Sequence, residues 1–190
     1  MKTEHPDQRV GIFVDVSNLY HSVKNLYNGR VNYKQLIKHL VGNRKLIRAV
    51  AYVIKTEDMQ REASRQGGAP PHAQGRSERP APAEAAFFDA LERAGMELRS
   101  KDLQVYPGGF KKGDWDVGLA VDAIRMADLF DVIILVTGDG DFVPLVEYLH
   151  FGKGASVEVA AFSRSASGRL KESADHFINL EDIPKIIIKR

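Results

Sequence analysis

The sequence predicts an α/β fold in which a mainly parallel sheet carries helices on both faces, and three observations support this. Short runs rich in valine and isoleucine, typical of buried strands, occur at residues 10–16, 46–54 and 131–136. Segments with the apolar spacing of helices separate these runs. The 131–136 run is almost wholly apolar, as expected for a central strand covered on both sides. Alternation of this kind is typical of parallel sheets, and we predict one domain over residues 1–190.

The first predicted strand and the helices after it have clear boundary residues. The strand at 10–16 reaches Asp15 and then meets Asn18, a residue type that often begins helices. A second helix is predicted to begin after Asn32 and to end at Gly42.

Residues 60–83 differ in composition from the rest of the chain. They contain four prolines, three glycines and four arginines, and no valine, isoleucine, leucine, methionine, phenylalanine, tyrosine or tryptophan. A segment that buries no apolar side chain does not offset its ordering entropy. We therefore expect a disordered insertion here.

The second half of the chain continues the alternation. We predict that Asp114 caps a helix running to about Leu129, and that Gly138 ends the central strand. The other predicted elements are helices at 84–94, 142–151 and 165–175 and strands at 96–99, 103–106, 156–162 and 177–180.

Composition restricts the class of protein. The chain has no cysteine, which excludes disulfides, thiolate zinc sites and cysteine nucleophiles. Its 27 lysines and arginines against 25 acidic residues give a formal charge of +2, so bulk charge alone does not indicate a nucleic-acid binder. We see no signal peptide and no membrane span, and expect a soluble cytoplasmic protein with no membrane partner.

Three acidic motifs follow predicted strands or begin a predicted helix. They place Asp15 at the end of the first strand, Asp116 in the first turn of its helix, and Asp139 and Asp141 after the central strand. Ligands of parallel α/β proteins bind at the carboxyl edge of the sheet, so we expect these four aspartates to converge. Clustered carboxylates repel one another, and a hard divalent cation such as Mg²⁺ or Mn²⁺ relieves that repulsion. Such an ion supports phosphodiester hydrolysis without a protein nucleophile.

Each motif also has a structural alternative. Asp114, Asp116, and one of Asp139 and Asp141 are suitable helix caps. Asp15 lies inside an apolar run, where an unpaired carboxylate is costly, so it requires a partner or a function. Asp122 lies on a different helical face from Asp116, outside direct contact with a cation.

Several polar residues near these motifs are candidate substrate contacts. Lys112, with Lys111, and Arg164 are candidate phosphate contacts, with surface solvation as the alternative. Asn18 either orients a water molecule or caps its helix. Trp115 either packs in the core or stacks on a base. The histidines have no metal-ligand spacing, and we assign them to packing and surface.

Four segments together resemble the NYN domain family of PIN-like nucleases, within it the bacterial LabA (DUF88) group. They are VGIFVDVSNLY, KKGDWDVGLAVD, VTGDGDFVPLVEYL and ASGRLKESADHFINL, and the resemblance covers the chain apart from residues 60–83. It implies a PIN-like three-layer α/β/α sandwich with a metal-dependent ribonuclease site, most simply an endoribonuclease. The partner it implies is single-stranded or structured RNA, and a homodimer or a protein partner stays open.

The resemblance also assigns residues. The family's strand-end aspartate and the asparagine after it fall on Asp15 and Asn18, and the paired aspartates fall on Asp139 and Asp141. The middle aspartate falls on Asp116, with Asp114 beside it as a one-residue ambiguity.

The same residues disfavour two other functions and leave one rival. A phosphatase of the haloacid dehalogenase type needs a second acid two positions after Asp15, where the sequence has Ser17. Neither GxGxxG nor GxxxxGKS occurs in the expected context, which disfavours dinucleotide and P-loop nucleotide binding. The remaining rival is a non-catalytic RNA- or protein-binding regulator of the LabA type that retains the acidic pocket.

Overall fold

The computed structural model describes residues 5–55, 82–102, 104–105, 111–112 and 115–189. The strands of the sheets are β1 (Arg9–Asp15), β2 (Gly29–Val31), β3 (Lys45–Lys55), β4 (Glu97–Asp102), β5 (Gln104–Val105), β6 (Lys111–Lys112), β7 (Val132–Val136), β8 (Ser156–Ala161), β9 (His176–Asn179) and β10 (Ile187–Lys189). The helices are α1 (Val16–Tyr27), α2 (Tyr33–Val41), α3 (Pro82–Arg93), α4 (Asp116–Met126), α5 (Val143–Glu147) and α6 (Gly168–Ser173).

A central sheet of six strands, in the order β4-β3-β1-β7-β8-β9, organises the part of the chain that the structure describes. Every neighbouring pair in this sheet is parallel. Two small antiparallel pairs, β2 with β10 and β5 with β6, lie outside it. The predicted fold class, an α/β sandwich with a mainly parallel central sheet, is confirmed.

The sheet separates two apolar layers. One layer contains side chains of α1, α2 and α3, and the other contains side chains of α4, α5 and α6. Because successive side chains of a strand point to opposite faces, β1 sends Ile12 and Val14 into the first layer and Phe13 into the second. The same alternation directs Asp15 toward the face that α4 covers.

The predicted ends of α2 are confirmed. Asn32 is the N-cap, and its side-chain oxygen accepts a hydrogen bond from the backbone amide of Gln35. Gly42 follows the helix with a φ of 60°, a conformation that glycine adopts without strain.

Three predicted helices need comment. The N-cap of α4 is Trp115, whose side chain makes no cap hydrogen bond, and the predicted cap Asp114 lies outside the described residues. The predicted 142–151 helix is a 3₁₀ turn, α5 and a π-helical turn in succession. The predicted 165–175 helix is only α6, because the residues before it form a loop that bonds to a different strand end.

Strands β2 and β10 were not predicted, because each has three residues, too few for a pattern. The predicted insertion at residues 60–83 lies outside the described residues, except for the start of α3. No helix in the described ranges is long and apolar enough to cross a membrane.

Candidate functional site

The three predicted acidic motifs lie at the carboxyl edge of the central sheet. Asp15 ends β1 and pairs in register with Tyr52 of β3. On the other side of β1, Val14 pairs with Val136, the last residue of β7, and Thr137 follows directly. The turn that carries Asp139 and Asp141 therefore begins beside Asp15.

Asp15 is half-buried and receives hydrogen bonds from neutral donors. As the N-cap of α1 it accepts from the backbone amide of Asn18 at 3.0 Å, and it accepts from the Thr137 hydroxyl at 3.2 Å. Burial raises the pKa of the Asp15 carboxyl, these hydrogen bonds lower it in part, and the nearby charge of Asp139 raises it further. The net pKa lies above the ordinary value for an aspartate, which indicates a carboxylate that positive charge would stabilise.

The turn after β7 is held by its own side chains. The Thr137 hydroxyl accepts a hydrogen bond from the Asp139 amide at 3.2 Å while it donates to Asp15. Asp139 then caps the following 3₁₀ turn, since its side-chain oxygen accepts from the Asp141 amide at 3.0 Å. Thr137 thus connects the two half-buried aspartates, whereas the Asp141 side chain is exposed.

Both polar backbone groups of Gly138 are bonded to other elements. Its amide donates to the side-chain oxygen of Asn18 at 2.9 Å, and its carbonyl accepts from the amide of Ser167 at 2.9 Å. A Cβ at Gly138 would lie 3.1 Å from the Cα of Ala166, so the loop after β8 leaves little room for a side chain here. The glycine is therefore required for close approach of the two loops.

Asp116 begins α4 next to Trp115, which fixes the start of that helix. The Trp115 indole donates to the carbonyl of Val53 near the end of β3 at 2.8 Å, and a Cβ at Gly118 would lie 2.4 Å from its ring. Asp122 lies about 120° around the helix from Asp116. Its carboxylate accepts a hydrogen bond from the hydroxyl of Tyr52 on β3 at 3.1 Å.

The carboxylate oxygens of this site suit a hard cation, but the spacing of the side chains suits it less well. Carboxylate oxygens are the ligands that Mg²⁺ and Mn²⁺ prefer. Among the residues that the structure describes, however, no three histidine, aspartate or glutamate side chains lie close enough together to hold a metal ion. The structure brings Asp15 and Asp139 together as a pair, and Asp114 lies outside the described residues.

The remaining predicted contacts have varied positions. Asn18 does not cap α1, because Asp15 does, and its side chain holds Gly138 instead. Arg164 is exposed and lies beside Tyr27, at the opposite end of the 12-residue helix α1 from Asp15, a span of about 18 Å. Lys112 belongs to β6, and its side chain lies outside the described part of the chain. Trp115 packs against Tyr52, as the packing alternative predicted.

Sequence reasoning missed two residues at this site. Thr137 was treated only as part of a motif, although its hydroxyl joins Asp15 to the Asp139 turn. Ser167 was assigned to the interior of a predicted helix, whereas it contacts the Gly138–Asp141 turn. Thr137 could have been found, because it would face the same side of the sheet as Asp15 on a neighbouring strand. No local signal indicated Ser167.

The fold and the position of the acidic turn define an α/β protein with an aspartate-rich carboxyl edge, and comparison with known proteins identifies the family. The NYN domain model matches residues 9–181, and the chain belongs to that family.

Two relatives give the extent of the similarity. The chain is 28% identical over 109 residues to the "Low amplitude and bright protein LabA" of Synechococcus elongatus, which is 54% of this chain and 58% of that protein. The match thus spans little more than half the length of the relative. A crystal structure of a Vibrio parahaemolyticus protein of unknown function is similar with a TM-score of 0.78 and 29% identity, covering 99% of this chain and 100% of that one.

Proposed function

We propose that this NYN domain is a metal-dependent ribonuclease that hydrolyses RNA phosphodiester bonds at the carboxyl edge of its sheet. The observation that carries the proposal is the pairing of Asp15 with Asp139, in which burial and mutual repulsion raise the pKa of Asp15. A fold that holds two carboxylates close enough to repel each other is suited to binding a cation there.

In this proposal Asp15 and Asp139 would hold Mg²⁺ or Mn²⁺, and Asp116 and Asp141 are the other two carboxylates predicted for the site. When bound, a divalent cation supplies charge neutralisation of the phosphodiester and activation of water for attack on phosphorus. Thr137 connects the Asp15 carboxylate to the backbone amide of Asp139, and Asn18 holds the turn through the amide of Gly138.

The family and the two candidate phosphate contacts favour RNA, a polyanion, as the partner. Lys112 and Arg164 contact phosphates of the strand, with Arg164 several nucleotides from the cleaved bond because it lies at the far end of α1. Screening by salt weakens contacts of this kind, so binding through them falls as ionic strength rises.

A second function is favoured by one observation, the lack of three gathered ligands among the described residues. A non-catalytic regulator of the LabA type would bind RNA or a protein partner through the same edge without turnover. The experiment below separates the two functions.

The test compares the wild-type protein with Asp139→Asn and with Asp128→Asn as a matched control. Asp128 is an exposed residue paired with Lys153, beyond the end of α4. Each protein is incubated with labelled single-stranded and structured RNA in Mn²⁺, Mg²⁺ or EDTA. We expect Asp139→Asn to lose activity by on the order of 100-fold or more, because it removes charge where the cation binds.

The outcomes discriminate clearly. Cleavage by wild type and Asp128→Asn in metal alone, with Asp139→Asn inactive, supports the ribonuclease and its site. Equal cleavage by all three proteins indicates a contaminant or another site. RNA binding without cleavage by wild type favours the regulator.

A further inference from the structure

The loop between β8 and α6, residues 163–167, packs directly on the acidic turn. Its last residue, Ser167, donates its backbone amide to the carbonyl of Gly138 at 2.9 Å. Its side chain covers Gly140, since a Cβ there would lie 2.8 Å from the Ser167 hydroxyl oxygen. Ser167 therefore stands over the segment that contains Asp139 and Asp141.

The Ser167 hydroxyl is not engaged in a hydrogen bond among the described residues. It makes no cap hydrogen bond to α6, and within the described residues it has no hydrogen-bond partner. The residue is partly exposed, and its hydroxyl oxygen lies next to Gly140 of the acidic turn.

The other two serine hydroxyls of the loop are engaged. The hydroxyl of Ser165 bonds to that of Ser22 on α1 at 3.0 Å and to the carbonyl of Phe162. The hydroxyl of Ser163 accepts from the Lys171 ammonium at 3.1 Å. The hydroxyls of Ser163 and Ser165 thus face away from the acidic turn, and Ser167 carries the serine hydroxyl of this loop that lies beside it.

We propose that the Ser167 hydroxyl binds an oxygen of the ribose-phosphate backbone of the substrate strand beside the acidic turn. The proposal rests on the proposed ribonuclease function. A serine hydroxyl both donates and accepts, so it can serve a phosphate oxygen or a ribose 2′-hydroxyl. As a neutral group beside Gly140, it would contact a polyanion without adding repulsion.

The test measures KM and kcat on single-stranded RNA and on DNA of the same sequence, in Mn²⁺, for Ser167→Ala and for Ser165→Ala. Ser165→Ala removes a hydroxyl from the same loop on its α1 side, so it controls for loop stability. RNA affinity is also measured in Ca²⁺, and thermal unfolding and the Mn²⁺ concentration for half-maximal activity are recorded for each variant.

We expect Ser167→Ala to lower kcat/KM and RNA affinity by about three- to tenfold, the effect of one neutral hydrogen bond. Ser165→Ala should match the wild type, and the Mn²⁺ requirement should not change. Loss of a preference for RNA over DNA identifies the 2′-hydroxyl as the bound group, whereas an equal loss on both identifies a phosphate oxygen.

Other outcomes overturn the inference. If Ser167→Ala behaves as Ser165→Ala, or if its loss is accompanied by a changed Mn²⁺ requirement, the hydroxyl does not contact the substrate. Both results leave the ribonuclease intact, provided that activity still depends on Asp139. A wild-type protein that neither cleaves nor binds RNA overturns the ribonuclease and the role of Ser167 together.

Discussion

Asp15 and Glu158 are two acidic side chains on the same sheet with opposite surroundings. Glu158, on β8, is 2% exposed, and its carboxylate receives two hydrogen bonds from the Arg44 guanidinium at 2.8 and 3.2 Å. Asp15, at the end of β1, receives hydrogen bonds from a backbone amide and a hydroxyl, and the charge of the Asp139 carboxylate raises its pKa.

The difference separates a structural carboxylate from one suited to a ligand. Arg44 also donates to the carbonyls of Leu40 and Val41 at the end of α2, so the buried pair is satisfied by the protein itself. A buried charge pair of this geometry needs no external ion. The Asp15 carboxylate can accept a further ligand, and its negative charge is disfavoured by burial and by Asp139. A bound cation would use the first property and offset the second.

The largest expected effect on stability comes from removing the Arg44 guanidinium that pairs with Glu158. Arg44→Ala should lower the free energy of unfolding by about 3–5 kcal/mol, because it strands a buried carboxylate. Urea unfolding at neutral pH measures the change.

The matched control is Arg9→Ala. Arg9 pairs with Asp131 on the surface, where both side chains are over 40% exposed, and such a pair contributes about 0–1 kcal/mol. Similar losses in the two variants would show that Arg44 and Glu158 are not a structurally critical pair. Replacing Arg44 and Glu158 together by methionine and leucine should recover most of the stability.

The sequence predicted the position of Asp15 but could not predict the Glu158 pair. A strand that ends in an aspartate is a local pattern, and parallel topology brings such ends to one edge. Arg44 and Glu158 are 114 positions apart, and their contact depends on how α2 packs on β8. The buried valines on either side of Glu158 predicted a strand without indicating what its charged residue contacts.

The elements that carry the acidic motifs were also predictable from the local sequence. The three motifs were placed on the correct elements, because each follows a strand or begins a helix. The position of Ser167 beside the acidic turn was not predictable, since the loop after β8 has a helical pattern in the sequence. Its hydrogen bond to Gly138 holds the residue outside α6.

An intermediate effect on stability should follow from removing the Thr137 hydroxyl, one of the neutral donors to Asp15. Thr137→Val keeps the shape of a side chain that is 1% exposed but leaves the Asp139 amide and an Asp15 oxygen without their partner. We expect a loss of about 1–3 kcal/mol in the free energy of unfolding, together with reduced cleavage of RNA.

Thr137→Ser is the control, because it retains the hydroxyl. It should preserve most of the activity, and chemical unfolding with cleavage assays on both variants measures the contrast. A Thr137→Val protein as active as Thr137→Ser would show that the hydroxyl does not position the aspartates.

The smallest expected change in the free energy of unfolding, and one of opposite sign, is that of Asp15→Asn. Asparagine is also a good N-cap, so α1 keeps its first hydrogen bond while the charge is removed. Because the folded-state pKa of Asp15 is raised, ionisation of this group destabilises the folded protein. Asp15→Asn should therefore raise the free energy of unfolding at neutral pH by about 0.5–2 kcal/mol while abolishing metal-dependent cleavage.

The pH dependence of that gain tests its cause. Below the ordinary aspartate pKa near 3.8, the carboxyl is protonated in both folded and unfolded states, and the variant should gain nothing through charge. As the pH rises through the raised folded-state pKa, the wild type loses stability and the variant does not, so the difference should grow and then level.

Mn²⁺ should reverse the order by stabilising the wild type alone, by about 2.7 kcal/mol at 100 times its dissociation constant. Thermal unfolding of both proteins across pH, with and without Mn²⁺, measures these differences, and a variant that is less stable than the wild type in EDTA at neutral pH would refute the contrast with Glu158.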